Sequence, residues 1–197
     1  MDEKMDRLIA DILKLKQPLI IGVSGFGGSG KSTFAKYLAK KLDAPVVGVD
    51  SFCTSNLHLG HKLWDIMDYE RMEKEVLIPV QQGESDIKYG EYGWDKSEET
   101  HVVEIHFKGI LVVEGVGLFR PSLRKYFSFT FWIDCPIDEA MERGKKRDKE
   151  LYGNPQDFLW DGIWKEQDQE CFEKFLPKEY VDHIIDHSKV GEWVIEK

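Results

Sequence analysis

Gly25-Phe26-Gly27-Gly28-Ser29-Gly30-Lys31-Ser32 carries the spacing G-x-x-x-x-G-K-[ST], in which bare backbone N–H groups surround an anion at the start of a helix. The flanks agree with that reading. Leu19-Ile20-Ile21-Gly22-Val23 is an apolar run that predicts a buried strand, and Ser32 to Leu42 places Phe34, Tyr37, Leu38 and Leu42 on one helical face. Glycines belong in such a turn because a Cβ would block close approach and the positive-φ backbone. A nucleoside triphosphate is the ligand this loop predicts. Gly25, Gly27, Gly28, Ser29, Gly30 and Thr33 would line it, Lys31 would reach the β- and γ-phosphates, and the Ser32 hydroxyl would ligate Mg²⁺.

The bulk properties leave room for that loop in one domain. A chain of 197 residues with 42% apolar and 32% charged residues reads as a single globular domain, residues 1–197, with a full core. Its net charge of −9 argues against a nucleic-acid surface, which would need a basic field. Positive charge is instead concentrated between Arg143 and Lys149. Cys53, Cys135 and Cys171 are far apart and form no C-x-x-C pair, so they read as buried thiols in a reduced compartment. Met1 to Lys16 lacks the apolar stretch of a signal peptide, and no run is long enough to span a membrane. The expectation is a cytoplasmic protein with no membrane partner; a homo-oligomer stays open.

Outward from the loop, strands and helices alternate. Met5, Leu8, Ile9, Ile12 and Leu13 predict an amphipathic helix that Gln17-Pro18 ends. Pro45 to Val49, Ile110 to Glu114, Phe129 to Asp134 and His183 to Asp186 predict further strands. Asp68 to Leu77 and Ile137 to Lys149 predict helices, and a last long helix runs to about Phe175. Residues 86–107 predict an antiparallel hairpin insertion. The fold class that follows is α/β, in three layers: about five parallel strands with helices on both faces. Strand order is not legible in the pattern. Ligands of such sheets sit beyond the carboxyl ends of the strands, where the loop, Asp50 and Glu114 all fall.

Glu114 closes an apolar strand and is a hard oxygen donor suited to Mg²⁺, or else a polar strand end with no further role. Asp50 is placed to orient an acceptor hydroxyl and take its proton; a turn cap is the other reading. Arg143 and Arg147, at i and i+4, share a helix face beside Lys146. With Gly144 and the break at Gly153-Asn154-Pro155 they suggest a lid over residues 141–160, the alternative being a solvated charged face. Between Asp50 and Ile110 the only arginine is Arg71, so an anionic acceptor finds no arginine fork there. Phe52, Trp64, Tyr69, Tyr89, Tyr92 and Trp94, with Asp65 among them, suit a neutral, hydroxyl-rich, flat-ringed acceptor, although several of these rings must be core. His58, His61 and Asp65 are too loosely spaced for a metal site. Trp160 and Trp164 predict packing of the last helix onto the sheet.

Taken together, these residues resemble the uridine kinase branch of P-loop small-molecule kinases, related to phosphoribulokinase and pantothenate kinase. The resemblance runs from about Pro18 to Asp186 and rests on Gly25 to Thr33, Val49-Asp50-Ser51-Phe52, Leu111-Val112-Val113-Glu114-Gly115 and Arg143 to Asp148. It implies a P-loop NTPase fold using ATP and Mg²⁺. By that resemblance Asp50 activates the 5′-hydroxyl, Glu114 supports Mg²⁺, and Arg143 and Arg147 contact the phosphates of ATP. Tyr89 matches a tyrosine that holds the nucleoside, but Trp94 stands where the family has His. Trp64-Asp65 resembles the family's ribose-binding Phe-Asp, followed here by Ile66-Met67 in place of His-Pro. The implied acceptor is a uridine- or cytidine-like nucleoside, with another small alcohol, or a non-catalytic nucleotide-binding module, as alternatives.

Overall fold

The apolar runs become strands because alternate residues have somewhere to go on both faces. A computed structural model describes residues 3–55, 59–94 and 100–197. In it, β1 (Leu19–Gly25) is buried along its whole length. Ile21 and Val23 meet Met5, Ile9 and Ile12 of α1 (Glu3–Ile12) and Phe34 and Leu38 of α2 (Lys31–Leu42) on one face. Ile20 joins Met72, Leu77, Phe119 and Cys171 on the other. The period of two thus feeds two cores across one sheet, and full burial of each large apolar side chain contributes roughly 1.5–3 kcal/mol.

All five expected strands form. With β2 (Val46–Gly48), β5 (Ile110–Glu114), β6 (Phe129–Asp134) and β7 (His183–Asp186), the sheet runs β2-β5-β1-β6-β7 in parallel, and β8 (Val194–Ile195) adds a short antiparallel edge beside β7. The hairpin insertion is a separate two-stranded sheet, β3 (Asp86–Tyr92) against β4 (Thr100–His106), with Tyr89 opposite Val103.

The helix expected over Asp68 to Leu77 runs further. Asp68 caps α3 (Tyr69–Met72) by accepting the Arg71 N–H at 2.8 Å. A π-helical turn, Glu73–Leu77, then carries the chain into α4 (Ile78–Gln81). Pro79 has no N–H to give and would crowd the carbonyl one turn back, and the wider turn before it accommodates both defects.

After α5 (Ile137–Glu150) the chain turns at Tyr152 to Pro155. The last long helix is broken at Gly162 into α6 (Asp157–Asp161) and α7 (Ile163–Phe175), followed by one turn, α8 (Pro177–Tyr180). All three cysteines are free and buried. No helix among the described residues is long and apolar enough to cross a membrane.

Candidate active site

Strand order explains why three distant motifs meet. β5 lies between β2 and β1, with Val23 and Gly48 both in register with Glu114. The tips of these neighbours therefore present the glycine loop, Glu114 and the turn holding Asp50 along one edge. At Gly28 the loop takes φ +77, and a Cβ there would stand 2.0 Å from the Ala140 carbonyl of α5, so the base of that helix is seated on the loop. The loop ends at the N-terminus of α2, where Lys31 is 9% exposed.

Ser32 Oγ donates to Glu114 Oε2 at 3.1 Å. Burial pushes the Glu114 carboxyl above the usual range, the Lys31 ammonium pulls it back, and the Asp50 carboxylate pushes it up again. Each of these charges is felt only because the groups share one small region. Asp50 itself is exposed, in the 3-10 turn Val49–Phe52. Ser32 and Glu114 offer a hydroxyl and a carboxylate, both hard oxygen donors, and among the described residues no three His, Cys, Asp or Glu side chains gather into a fuller cage. That donor set fits Mg²⁺, which keeps water and substrate phosphate for its remaining positions.

Beside the Asp50 turn lie Phe52, the hairpin and Arg71. Phe52 and Tyr89 stack at 5.3 Å with 25° between planes, and the Arg71 guanidinium lies 4.6 Å over Phe52. Arg71 is fully engaged: it donates to the Gly90 carbonyl at 2.7 Å, to Ser51 O at 3.3 Å and to Glu75 at 3.2 Å. It holds the hairpin against the Asp50 turn and is not an open fork for an anion. Of the six aromatics named above, Phe52, Trp64, Tyr69, Tyr89 and Tyr92 are buried, and only Trp94 is broadly open, at 52% exposure, edge-on to Tyr92. Asp65 is exposed and accepts from the Lys62 N–H at 3.0 Å, with His61 Nδ1 at 2.9 Å; His58 lies outside the described residues.

Arg143 and Arg147 do not converge. Arg143 donates to the carbonyls of His187 and Ser188 at 2.8 Å each and to Glu139 at 2.5 Å, which ties α5 to the loop after β7. Arg147 grips its neighbour Asp148 at 2.8 Å and lies over the rings of Tyr152 and Trp160. Gly144 is not a point of freedom but of contact, since a Cβ there would stand 2.5 Å from the Trp160 ring. Trp160 joins the core on that face of the sheet, with Trp164 packed against it, and is wedged between α5 and Gly27 of the loop, its Nε1–H donating to Asp148 at 2.7 Å.

Two neighbours of the site went unnamed in the sequence. Glu91 accepts from the Ser51 hydroxyl at 3.0 Å; its place two residues after Tyr89 on a strand, hence on the same face, was the available signal. Asp168, in the middle of α7, accepts the Gly27 N–H at 2.6 Å, and no local pattern marks it.

A family model described as an AAA domain matches residues 21–170. The uridine kinase of Pectobacterium atrosepticum is 27% identical over 187 residues, covering 86% of this chain and 87% of that protein. The uridine kinase of Aliivibrio salmonicida is 26% identical over 185 residues, covering 85% of each. A solved structure described as a possible uridine kinase from Bacillus stearothermophilus shares the fold, with a TM-score of 0.68 over 92% of this chain and 97% of that one at 20% identity.

Proposed function

The chain belongs to the AAA-domain family, and from that premise we propose an ATP-dependent kinase that phosphorylates a hydroxyl of a small neutral acceptor, a nucleoside of the uridine or cytidine type. The coarse activity, a phosphotransferase acting on a hydroxyl group, stands on its relatives. The observation that carries the finer reading is the meeting of Lys31, Ser32, Glu114 and the exposed Asp50 at three adjacent strand tips.

In this reading the loop N–H groups and Lys31 hold the triphosphate tail, and Ser32 and Glu114 hold Mg²⁺. The metal, when bound, neutralises charge that develops on the β- and γ-oxygens. Asp50 accepts a hydrogen bond from the acceptor O–H and aims its oxygen at the γ-phosphorus. As the new O–P bond forms, the bond from that phosphorus to the β,γ-bridging oxygen breaks and ADP leaves. The acceptor proton passes to Asp50 late, so orientation counts for more than basicity. Arg143 ties the middle of α5 to the loop after β7, and Arg147 sits one turn further along the same helix, so the segment 141–160 is held against the glycine loop by Gly144 and Trp160 and is not a free lid. The engagement of Arg71 supports a neutral acceptor.

Exposed Trp94 favours a second reading, a kinase for a different small alcohol. The test is a screen of nucleosides and small alcohols for ATP consumption, with the product identified by mass. Uridine or cytidine monophosphate as the best product supports the first reading. Turnover confined to another alcohol moves the assignment to the second, and ATP binding without any acceptor turnover leaves a non-catalytic nucleotide-binding module.

A further inference from the structure

One buried carboxylate joins the phosphate loop to the acceptor side of the site. Asp168, 3% exposed on α7, takes the Gly27 N–H on Oδ2 at 2.6 Å and the Trp64 indole N–H on Oδ1 at 2.7 Å. Its neighbour Gln167, 1% exposed, accepts the backbone N–H of Trp64 at 2.9 Å. Trp64 precedes Asp65, and both Leu63 and Trp64 stand in the left-handed region, at φ +54 and +57. Bulky residues rarely adopt that conformation, and surrounding contacts must enforce it. The bonds from α7 do so here.

Burying an acid is costly, and burial pushes the Asp168 carboxyl up to about 6 against the pull of the Gly27 N–H, Lys31 and the Trp64 N–H. A fold that needed only a strut could use an apolar pair in its place. A carboxylate offers something an apolar pair cannot, namely one oxygen for each partner. Because Asp168 Oδ2 serves the loop and Oδ1 serves Trp64, displacement of either segment strains the bond to the other.

We propose that Asp168 is a positioning residue that couples the two halves of the site: docking of a triphosphate tail fixes Gly27, and through Asp168 fixes Trp64 and the adjoining Asp65. The proposal rests on the reading of the glycine loop as a nucleotide site. It makes the acceptor segment respond to nucleotide before any acceptor is present.

Hydrogen–deuterium exchange of the full chain, with and without Mg²⁺ and a non-hydrolysable ATP analogue, tests it without knowledge of the acceptor. In the wild type, exchange slows several-fold both in the loop, residues 25–33, and in the segment 60–68. Asp168→Asn keeps the shape but can accept only one of the two N–H groups. Trp64→Phe removes the indole N–H together with the five-membered ring while leaving Asp168 and its bond to Gly27 in place, and so preserves the test if the first variant fails to fold. In either variant the loop stays protected while the analogue-induced slowing at 60–68 is lost. Equal slowing at 60–68 in the wild type and in Trp64→Phe, or a protected loop with no slowing at 60–68 in the wild type, overturns the coupling. A loop left unprotected in the wild type overturns the nucleotide reading itself, and the coupling with it.

Discussion

The Ser32 hydroxyl and the Glu114 carboxylate, which come from the glycine loop and from the strand beside it, stand 3.1 Å apart. Neither helix nor strand alone would bring them there; the parallel pairing of β1 with β5, Val23 against Glu114, does. Glu114→Gln keeps the size of the side chain and an oxygen for Ser32 while removing the charge a hard cation needs. Half-saturation by Mg²⁺ in an ATP turnover assay is expected to rise by about 10- to 100-fold, the scale seen when groups around a metal are altered. An unchanged Mg²⁺ dependence would take Glu114 out of the metal's surroundings.

Lys31→Ala should abolish ATP-dependent transfer, by on the order of 10²–10³-fold or more in kcat, with the far-ultraviolet circular dichroism unchanged. Its ammonium also offsets two acids, since it pulls back the carboxyls of both Glu114 and Asp168. Near-normal turnover in this variant would sink the assignment of the loop.

Asp50→Asn separates chemistry from nucleotide binding. Asp50 is exposed at the tip of β2 and Glu114 is the carboxylate bonded to Ser32, so the change should lower kcat by on the order of 10²–10⁴-fold while ATP affinity, read by calorimetry, shifts little. Should only the affinity fall, Asp50 belongs with the metal.

What local pattern could reveal, it revealed: β1, the loop and α2 are specified by an apolar run, a glycine spacing and a helical period that each lie within one short window. The order β2-β5-β1-β6-β7 depends on pairings between strands up to about a hundred residues apart, and no window contains them. β8 has two residues, too few to show alternation. Helical spacing put Arg143 and Arg147 on one face, yet their directions are set by partners the spacing cannot name: the carbonyls at His187 and Ser188 for one, Asp148 for the other. Asp168 was illegible for the same reason, because its partners Gly27 and Trp64 lie 141 and 104 residues away.

Gly144 is a glycine by contact. It lies inside α5, where Ala would ordinarily be favoured, but a Cβ would meet the buried Trp160 ring at 2.5 Å. Gly144→Ala should therefore destabilise by about 1–3 kcal/mol, the range for overpacking, read as a lowered Tm. It should also weaken ATP binding, because Trp160 is pressed against Gly27 on its other side. A Tm at or above that of the wild type would show that the helix-propensity gain outweighs the clash.

Asp168 makes the stability of the fold depend on pH in an unusual direction. Its carboxyl titrates near 6 in the folded protein against an ordinary value of 3.8, so the native state holds this proton more tightly than the unfolded chain does. The resulting contribution to stability is complete below about pH 4 and is lost as pH rises through 6. The gap corresponds to about 3 kcal/mol. Asp168→Asn has no proton to lose, so comparing the two proteins cancels the other titrating groups to first order. The stability of the wild type minus that of Asp168→Asn, measured by urea unfolding, should fall by that amount between pH 4 and pH 7 and then level off. A difference that is flat across the range, or that grows with pH, would mean that the carboxyl is not held in a proton-retaining burial between Gly27 and Trp64. It would then be an ordinary ionised acid, stabilised by its two N–H donors and Lys31.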